Sequence, residues 1–224
     1  MATTFDDRLA KLRKSFTGMG VNVSEQIYQS TKSYIDHDVD LAEKVCAHDL
    51  EVNENETHME KHAMNLIALQ QPVATDFRII ISYLKAGTDM ERIGDAAVGI
   101  AKETALAKGN PRMEDVEDVI AKMTKHIRKM LEQILEAYTT FDAKVAPEIV
   151  QEDHKIDKYY ESTRIAITKG ILINPETAVA ASSYLMVIRY LERIGDHIVN
   201  LSEYLIYSDT GKIVELGEED YREI

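Results

Sequence analysis

The pentapeptide ERIGD occurs twice in this chain, at residues 91–95 and again at residues 192–196. The similarity extends further, because DLEVN at residues 49–53 resembles DHKID at residues 153–157. These two offsets, of 101 and 104 residues, are nearly equal and are too long for the repeat of a solenoid. We therefore interpret the chain as a duplicated unit, which limits the fold to two similar halves.

Long helices are expected in both halves, because the 224 residues include only 10 glycines and 4 prolines. The first helix is expected to continue to about Ala47, and turns are expected near Gln71 and Asn174. The pattern predicts an all-α fold of two tandem three-helix bundles related by internal duplication. The predicted limits are residues 1–108, residues 109–208 and an acidic C-terminal tail at residues 209–224.

Charge and cysteine content exclude several classes of protein. The net charge of −13 disfavours nucleic acid and anionic membranes as main partners, because both select an excess of Lys and Arg. A single cysteine, Cys46, excludes an internal disulfide and is typical of a reducing compartment. The first residues lack the pattern of a secretory signal, and no apolar run is long enough to span a membrane. We expect a cytoplasmic protein without membrane insertion.

The acidic residues of the repeated motif lie off the apolar stripe of their predicted helices. In the last helix Glu192 and Asp196 flank the stripe, and Glu91 and Asp95 do so in the first half. Like charges four residues apart destabilise a helix by roughly 0.2–0.5 kcal/mol, so a repeated pair needs a reason. The simplest alternative is a solvated helix face.

A glycine in each motif, Gly94 and Gly195, falls in the middle of a predicted helix. Glycine there costs about 1 kcal/mol relative to alanine. We therefore expect the backbone of another helix to pass close to each position.

The position of the turn at Asn174 sets the register of the second helical hairpin. Residues equally far from a turn lie side by side in an antiparallel pair, so Asp157 is expected level with Glu192, and Asp153 level with Asp196. Four carboxylates this close must take up protons or bind a cation. Oxygen ligands favour hard cations, so the sequence predicts a metal site here.

The same reasoning applies more weakly to the first hairpin. With the turn near Gln71, Asn53 is expected near Glu91, and Asp49 near Asp95. Asn53 brings no charge, so the predicted metal site is weaker in this half.

Other candidate sites are less specific. His58 and His62 lie four residues apart with Glu54 nearby, which would suit a zinc ion but is more often a surface feature. Motifs for a phosphate-binding loop, a serine nucleophile or a zinc protease are absent from the sequence. We expect no catalytic residue.

Several segments carry a resemblance to a known family: LRKSFTGMG, DVDLAEKV, QQPVATDFRII, MERIGD and YLERIGDHIVNLSEYLIY, in this order. The chain resembles the PhoU family of phosphate-transport accessory and signalling proteins over nearly its whole length. The family's acidic motifs correspond to Asp49 to Asn53, Glu91 to Asp95, Asp153 to Asp157 and Glu192 to Asp196. Two departures weaken the first-half site: Asn53 replaces an acidic residue, and Gly99 stands where the second half has Asn200.

The resemblance implies more than the residues do. It implies a homodimer of paired three-helix bundles that binds iron, zinc, manganese or magnesium and is not an enzyme. It also implies a negative regulator acting between the ATPase subunit of the phosphate ABC transporter and the phosphate-sensing histidine kinase. The predicted ligand set is Asp49, Asn53, Glu91, Asp95, Asp153, Asp157, Glu192 and Asp196, with Asn200 and Glu203 on the same helix.

Two other functions remain open at this point. One is a ferritin-like di-metal oxidase or iron store, although such proteins place Glu-x-x-His pairs in a four-helix core, and neither ERIGD motif has that histidine. The other is an accessory protein of the same kind that serves a different phosphate transporter.

Overall fold

Six long α-helices account for most of residues 5–216, the part of the chain that the computed structural model describes, apart from the side chain of Glu51. No β-strand occurs within these residues, so the all-α prediction is confirmed. Short 3-10 turns, η1 (Ala143–Val145) and η2 (Pro175–Thr177), precede the fifth and sixth helices. The helices are α1 (Phe5–Asp36), α2 (Val39–Gln70), α3 (Ala74–Ala107), α4 (Glu114–Thr140), α5 (Ala146–Ile173) and α6 (Ala178–Thr210).

The first helix ends eleven residues earlier than the sequence suggested, so the prediction of a helix to about Ala47 was wrong. The chain turns at His37, which adopts the left-handed conformation with φ 54°. Asp38 then caps α2, because its side chain accepts a hydrogen bond of 3.0 Å from the backbone N–H of Leu41. Neither glycine nor proline marks this break, which explains why it was missed.

The two hairpin turns lie where the sequence placed them. Helix α2 ends at Gln70, and Gln71 is left-handed with φ 47°. Helix α5 ends at Ile173, and the Asn174 side chain accepts a hydrogen bond from the backbone of Glu176 in the 3-10 turn. Correct turns fix the register of each antiparallel pair and therefore the side chains that face one another.

Helices α1–α3 pack together as one bundle, and α4–α6 pack as a second. This confirms the predicted pair of three-helix bundles. The cores are continuous, however, because α3 packs along α6 in antiparallel orientation and buried apolar side chains from both halves form one cluster. Tyr138 illustrates this joint core: it lies in the second half, and its hydroxyl donates to the backbone oxygen of Leu201 and lies 3.1 Å from the hydroxyl of Ser82 in the first half.

The chain beyond α6 is held against the second bundle as far as it is described. Gly211 ends the helix in the left-handed conformation with φ 74°. Leu216 is buried, and its backbone N–H donates a hydrogen bond of 2.7 Å to Glu203. The rest of the predicted tail lies outside the described residues. Between Phe5 and Leu216, the helices are too polar for any of them to cross a lipid bilayer.

Candidate metal centre

Three aspartates from the second hairpin converge on one point. Asp153 and Asp157 lie one turn apart on α5, and Asp196 lies opposite them on α6. Each offers one carboxylate oxygen, and these oxygens all lie within 4.8 Å of one another. Three oxygens at this separation can bind a single hard cation after small side-chain rotations. No other group of three acidic, histidine or cysteine side chains is this close within the described part of the chain.

Asp153 is the buried member of this group, with 8% of its surface exposed. Its burial, and then the charges of Asp157, Asp196 and Glu192, raise the pKa of Asp153 to about 8. Its Oδ1 atom is buried and makes no hydrogen bond to a described residue. A buried carboxylate oxygen without a donor is costly unless a proton or a cation compensates it.

Glu192 forms the edge of the same cluster. Its Oε1 accepts a hydrogen bond of 2.5 Å from Arg189, whereas its buried Oε2 has no partner among the described residues. Burial and the neighbouring Asp196 raise the pKa of Glu192. The Arg189 guanidinium also stacks over the ring of Tyr160 at 5.7 Å, which holds this positive charge at the rim. The free oxygen of Glu192 can therefore act as a further ligand.

Gly195 makes room for Asp153. A Cβ atom at this position would lie 2.3 Å from the Oδ1 atom of Asp153, far inside van der Waals contact. The prediction that another helix backbone passes close to Gly195 was therefore wrong, because the nearest neighbour is a carboxylate side chain from α5. In the first half the neighbours of Gly94 are also side chains. A Cβ atom added to Gly94 would lie 3.2 Å from the Oε1 atom of Gln26. Gly195 thus makes room for a carboxylate of the site, whereas Gly94 makes room for side chains of α1 and α2.

The first hairpin carries a related acidic cluster, with Asp49 on α2 and Glu91 and Asp95 on α3. Burial, and then the charges of Asp95, Glu56 and Asp49, raise the pKa of Glu91. Burial and the charge of Asp49 raise the pKa of Asp95. These shifts have the same cause as in the second half, namely carboxylates brought together at a partly dry surface.

Two residues of the first cluster were missed from the sequence. Glu56 lies on α2 near Glu91 and supplies the carboxylate that Asn53 lacks. Gln26 reaches in from α1, and its Nε2 donates a hydrogen bond of 3.4 Å to Asp49. The side-chain oxygens of Gln26 and Asn53 are buried and have no hydrogen-bond partner among the described residues. A repeat-based search could not find Glu56, because position 160 in the second half is a tyrosine.

Asn200 and Glu203 are not brought to the carboxylate cluster. The Asn200 amide instead donates a hydrogen bond of 3.5 Å to Asp89, a buried residue of α3. His197 Nδ1 and the Tyr204 hydroxyl bond to the same carboxylate at 2.7 and 2.8 Å. Glu203 accepts its bond from Leu216. Asn200 thus joins α6 to α3, whereas Glu203 holds the chain that follows α6.

The structure thus defines a class: a duplicated helical protein with an acidic cluster on the hairpin formed by the last two helices of each bundle. The PhoU domain matches the chain twice, over residues 16–104 and 120–205. The chain belongs to the PhoU family, as its motifs suggested.

Relatives match along almost the whole chain. The "Phosphate-specific transport system accessory protein PhoU homolog" of Streptococcus pneumoniae is 35% identical over 218 residues, which cover 97% of this chain and 100% of the relative. The protein of the same name from Pseudomonas putida is 32% identical over 205 residues, or 91% of this chain and 79% of the relative.

Solved structures share the fold as well. The crystal structure of the phosphate transport system regulatory protein PhoU from Streptococcus pneumoniae has a TM-score of 0.89 at 33% identity, covering 95% of this chain and 100% of that one. PhoU from Pseudomonas aeruginosa has a TM-score of 0.88 at 30% identity, with 93% and 100% covered.

Proposed function

We propose that this chain is a metal-binding regulatory accessory protein of a phosphate-specific transport system. Support comes from the names of relatives that it matches along nearly its full length. The observation that carries the metal-binding part is the convergence of Asp153, Asp157 and Asp196, with one carboxylate buried and lacking a donor. The relatives' names support the role in phosphate transport, and the carboxylate geometry supports metal binding.

The second hairpin would hold a cation through Asp153, Asp157 and Asp196, with Glu192 at the edge. The donor atoms are all oxygens, which favours iron, manganese or magnesium over zinc among the four expected ions. A bound cation supplies positive charge between α5 and α6, and it keeps Asp153 ionised in a buried position. It therefore ties the two helices of the hairpin together.

The first hairpin would hold a cation through Asp49, Glu91 and Asp95. Glu56 adds a fourth carboxylate, and Asn53 adds a neutral oxygen. We propose a weaker site here, since among the described residues this cluster has no three acidic oxygens as close as those of the second half.

The regulatory part of the proposal concerns partners. Metal loading neutralises two acidic surfaces on a chain of net charge −13, which changes the charge that a partner meets. We propose that these surfaces contact the transporter's ATPase subunit and the phosphate-sensing histidine kinase in the cytoplasm. In this position the protein, as a homodimer, would act as a negative regulator of uptake and of the phosphate regulon.

The alternative of a ferritin-like oxidase or iron store gains no support from the site. Histidine ligands are expected in that class, but His197 bonds to Asp89 and not to the carboxylate cluster. Asp196 of the second cluster is also exposed, whereas the ligands of that class project into a four-helix core. We expect the iron-loaded protein to oxidise ferrous iron no faster than a variant with Asp157→Asn and Glu192→Gln.

Capture of the transporter ATPase tests the function. The tagged protein, loaded with manganese or stripped with a chelator, is incubated with the ATPase subunit, and the bound fraction is measured. We expect metal-dependent capture that is lost in the Asp157→Asn/Glu192→Gln variant. The control variant, Asp115→Asn/Asp118→Asn, removes two exposed acids from α4 and should bind normally. Absence of capture under all conditions would refute the regulatory role, and equal capture with and without metal would refute the metal dependence.

A further inference from the structure

A small basic cleft lies between the first turns of α1 and the middle of α2, and its lining includes no residue of either carboxylate cluster. It measures about 400 Å³. Its lining contains five basic or imidazole side chains and one amide, and no described carboxylate lines it. The lining residues are Arg8, Lys11, His58, Lys61, His62 and Asn65.

Helical spacing allows these side chains to line one cleft. Arg8 and Lys11 are three residues apart on α1, and His58 and His62 are four apart on α2, so each pair shares a helix face. His62 is half-buried. Its burial, followed by the charges of Lys11 and Arg8, lowers the pKa of His62.

The fold does not require this concentration of positive charge. In the second half, the residues equivalent to His58, Lys61 and His62 at the repeat offset of 104 are Ser162, Ile165 and Ala166. The second bundle forms without a basic cleft at this place. Lys11 and Lys61 repel each other across the cleft, and a bound anion would lower that repulsion.

We propose that this basic cleft binds a phosphate group, supplied either by free inorganic phosphate or by a phospholipid headgroup. Ammonium, guanidinium and imidazole N–H donors from two helices suit the oxygens of a tetrahedral dianion, and the Asn65 amide adds a neutral donor. The proposal stands apart from the carboxylate clusters and from the proposed function.

The predicted zinc pair at His58 and His62 is disfavoured by the same surroundings. Lys11 and Lys61 line the cleft and repel a cation, whereas Glu54, which lies nearby in the sequence, does not line it. An anion gains from these charges, and a metal ion loses.

The test follows the imidazole NMR signals of the full chain during titration with inorganic phosphate, with chloride used to keep the ionic strength constant. A second arm measures sedimentation with phosphatidylcholine vesicles that do or do not contain phosphatidylglycerol. The test variant is Lys11→Gln/Lys61→Gln. The control variant, Lys122→Gln/Lys169→Gln, removes two exposed lysines from the second half. Circular dichroism and thermal melting verify that both variants are folded.

We expect saturable shifts of the His58 and His62 signals with phosphate, or vesicle binding that depends on phosphatidylglycerol. Each lysine replacement should weaken binding about fivefold, and the control variant should bind like the original chain. The arm that responds identifies the source of the phosphate group. Failure of both arms, or equal binding by the test variant, would overturn the proposal. Stoichiometric zinc binding at His58 and His62 that is not weakened by added phosphate would also overturn it.

Discussion

Burial of Asp153 among other carboxylates should lower the stability of the folded protein when no metal is bound. This carboxylate is buried on α5, beside Gly195 and the other acids of the cluster. Its pKa rises from 3.8 to about 8 in the folded chain. Asp153→Asn keeps the size of the side chain but removes the ionisation. We therefore expect this variant to stabilise the metal-free protein, and to do so increasingly as the pH rises.

The sign and size follow from proton binding. Above about pH 4 the unfolded chain releases the Asp153 proton, whereas the folded chain keeps it to about pH 8. Between these values the unfolded state binds fewer protons, so rising pH lowers the free energy of unfolding by about 1.4 kcal/mol per pH unit. Asp153→Asn lacks this loss, so its stability relative to the original chain should rise by about 4 kcal/mol between about pH 5 and pH 8.

Urea unfolding in the presence of a chelator, at several pH values across this window, measures the difference. Comparing the two chains at each pH cancels the titration of the carboxylates that lie far from Asp153. Asp118→Asn, an exposed acid on α4, is the matched control and should give a difference that does not change with pH. A difference between Asp153→Asn and the original chain that is equally independent of pH would refute the argument that the buried carboxylate is protonated without metal.

Other variants test separate parts of the structure. Gly195→Ala should destabilise the protein by about 1–3 kcal/mol in thermal or urea unfolding, because the added Cβ would meet Asp153. The control Gly18→Ala adds a Cβ that meets nothing within 4 Å, so it should stabilise the protein by up to about 1 kcal/mol. A destabilising Gly18→Ala, or a neutral Gly195→Ala, would contradict this. Asp89→Ala should cost about 3 kcal/mol, because it removes the acceptor shared by three side chains of α6, and an unchanged urea midpoint would show that this network contributes nothing. Asn53→Asp should tighten manganese binding at the first hairpin in calorimetry, and a weaker affinity would place the cation elsewhere.

The sequence was sufficient for the register of the two hairpins. Proline and asparagine marked the turns near Gln71 and Asn174, and helix geometry then brought Asp153 and Asp157 opposite the second ERIGD motif. This argument works because antiparallel neighbours in one hairpin depend on local distances along the chain.

Contacts outside the two hairpins could not be predicted from the sequence. Gln26 enters the first cluster from α1, and Asn200 and Glu203 turn toward α3 or the chain after α6. Periodicity shows that a residue lies off the apolar stripe but not which neighbouring helix it meets. The break at His37 was missed for another reason, since its signal was an aspartate cap without glycine or proline.

Metal content per chain tests the central claim most directly. The protein is purified without chelator or metal-affinity resin, and its iron, manganese, zinc and magnesium are measured by elemental analysis beside the Asp157→Asn/Glu192→Gln variant. We predict at least one bound ion per chain, with the ion of the second hairpin lost in the variant while the helical content is unchanged. A folded, metal-free protein, or a variant with the same metal content as the original chain, would contradict the assignment of the carboxylates as ligands.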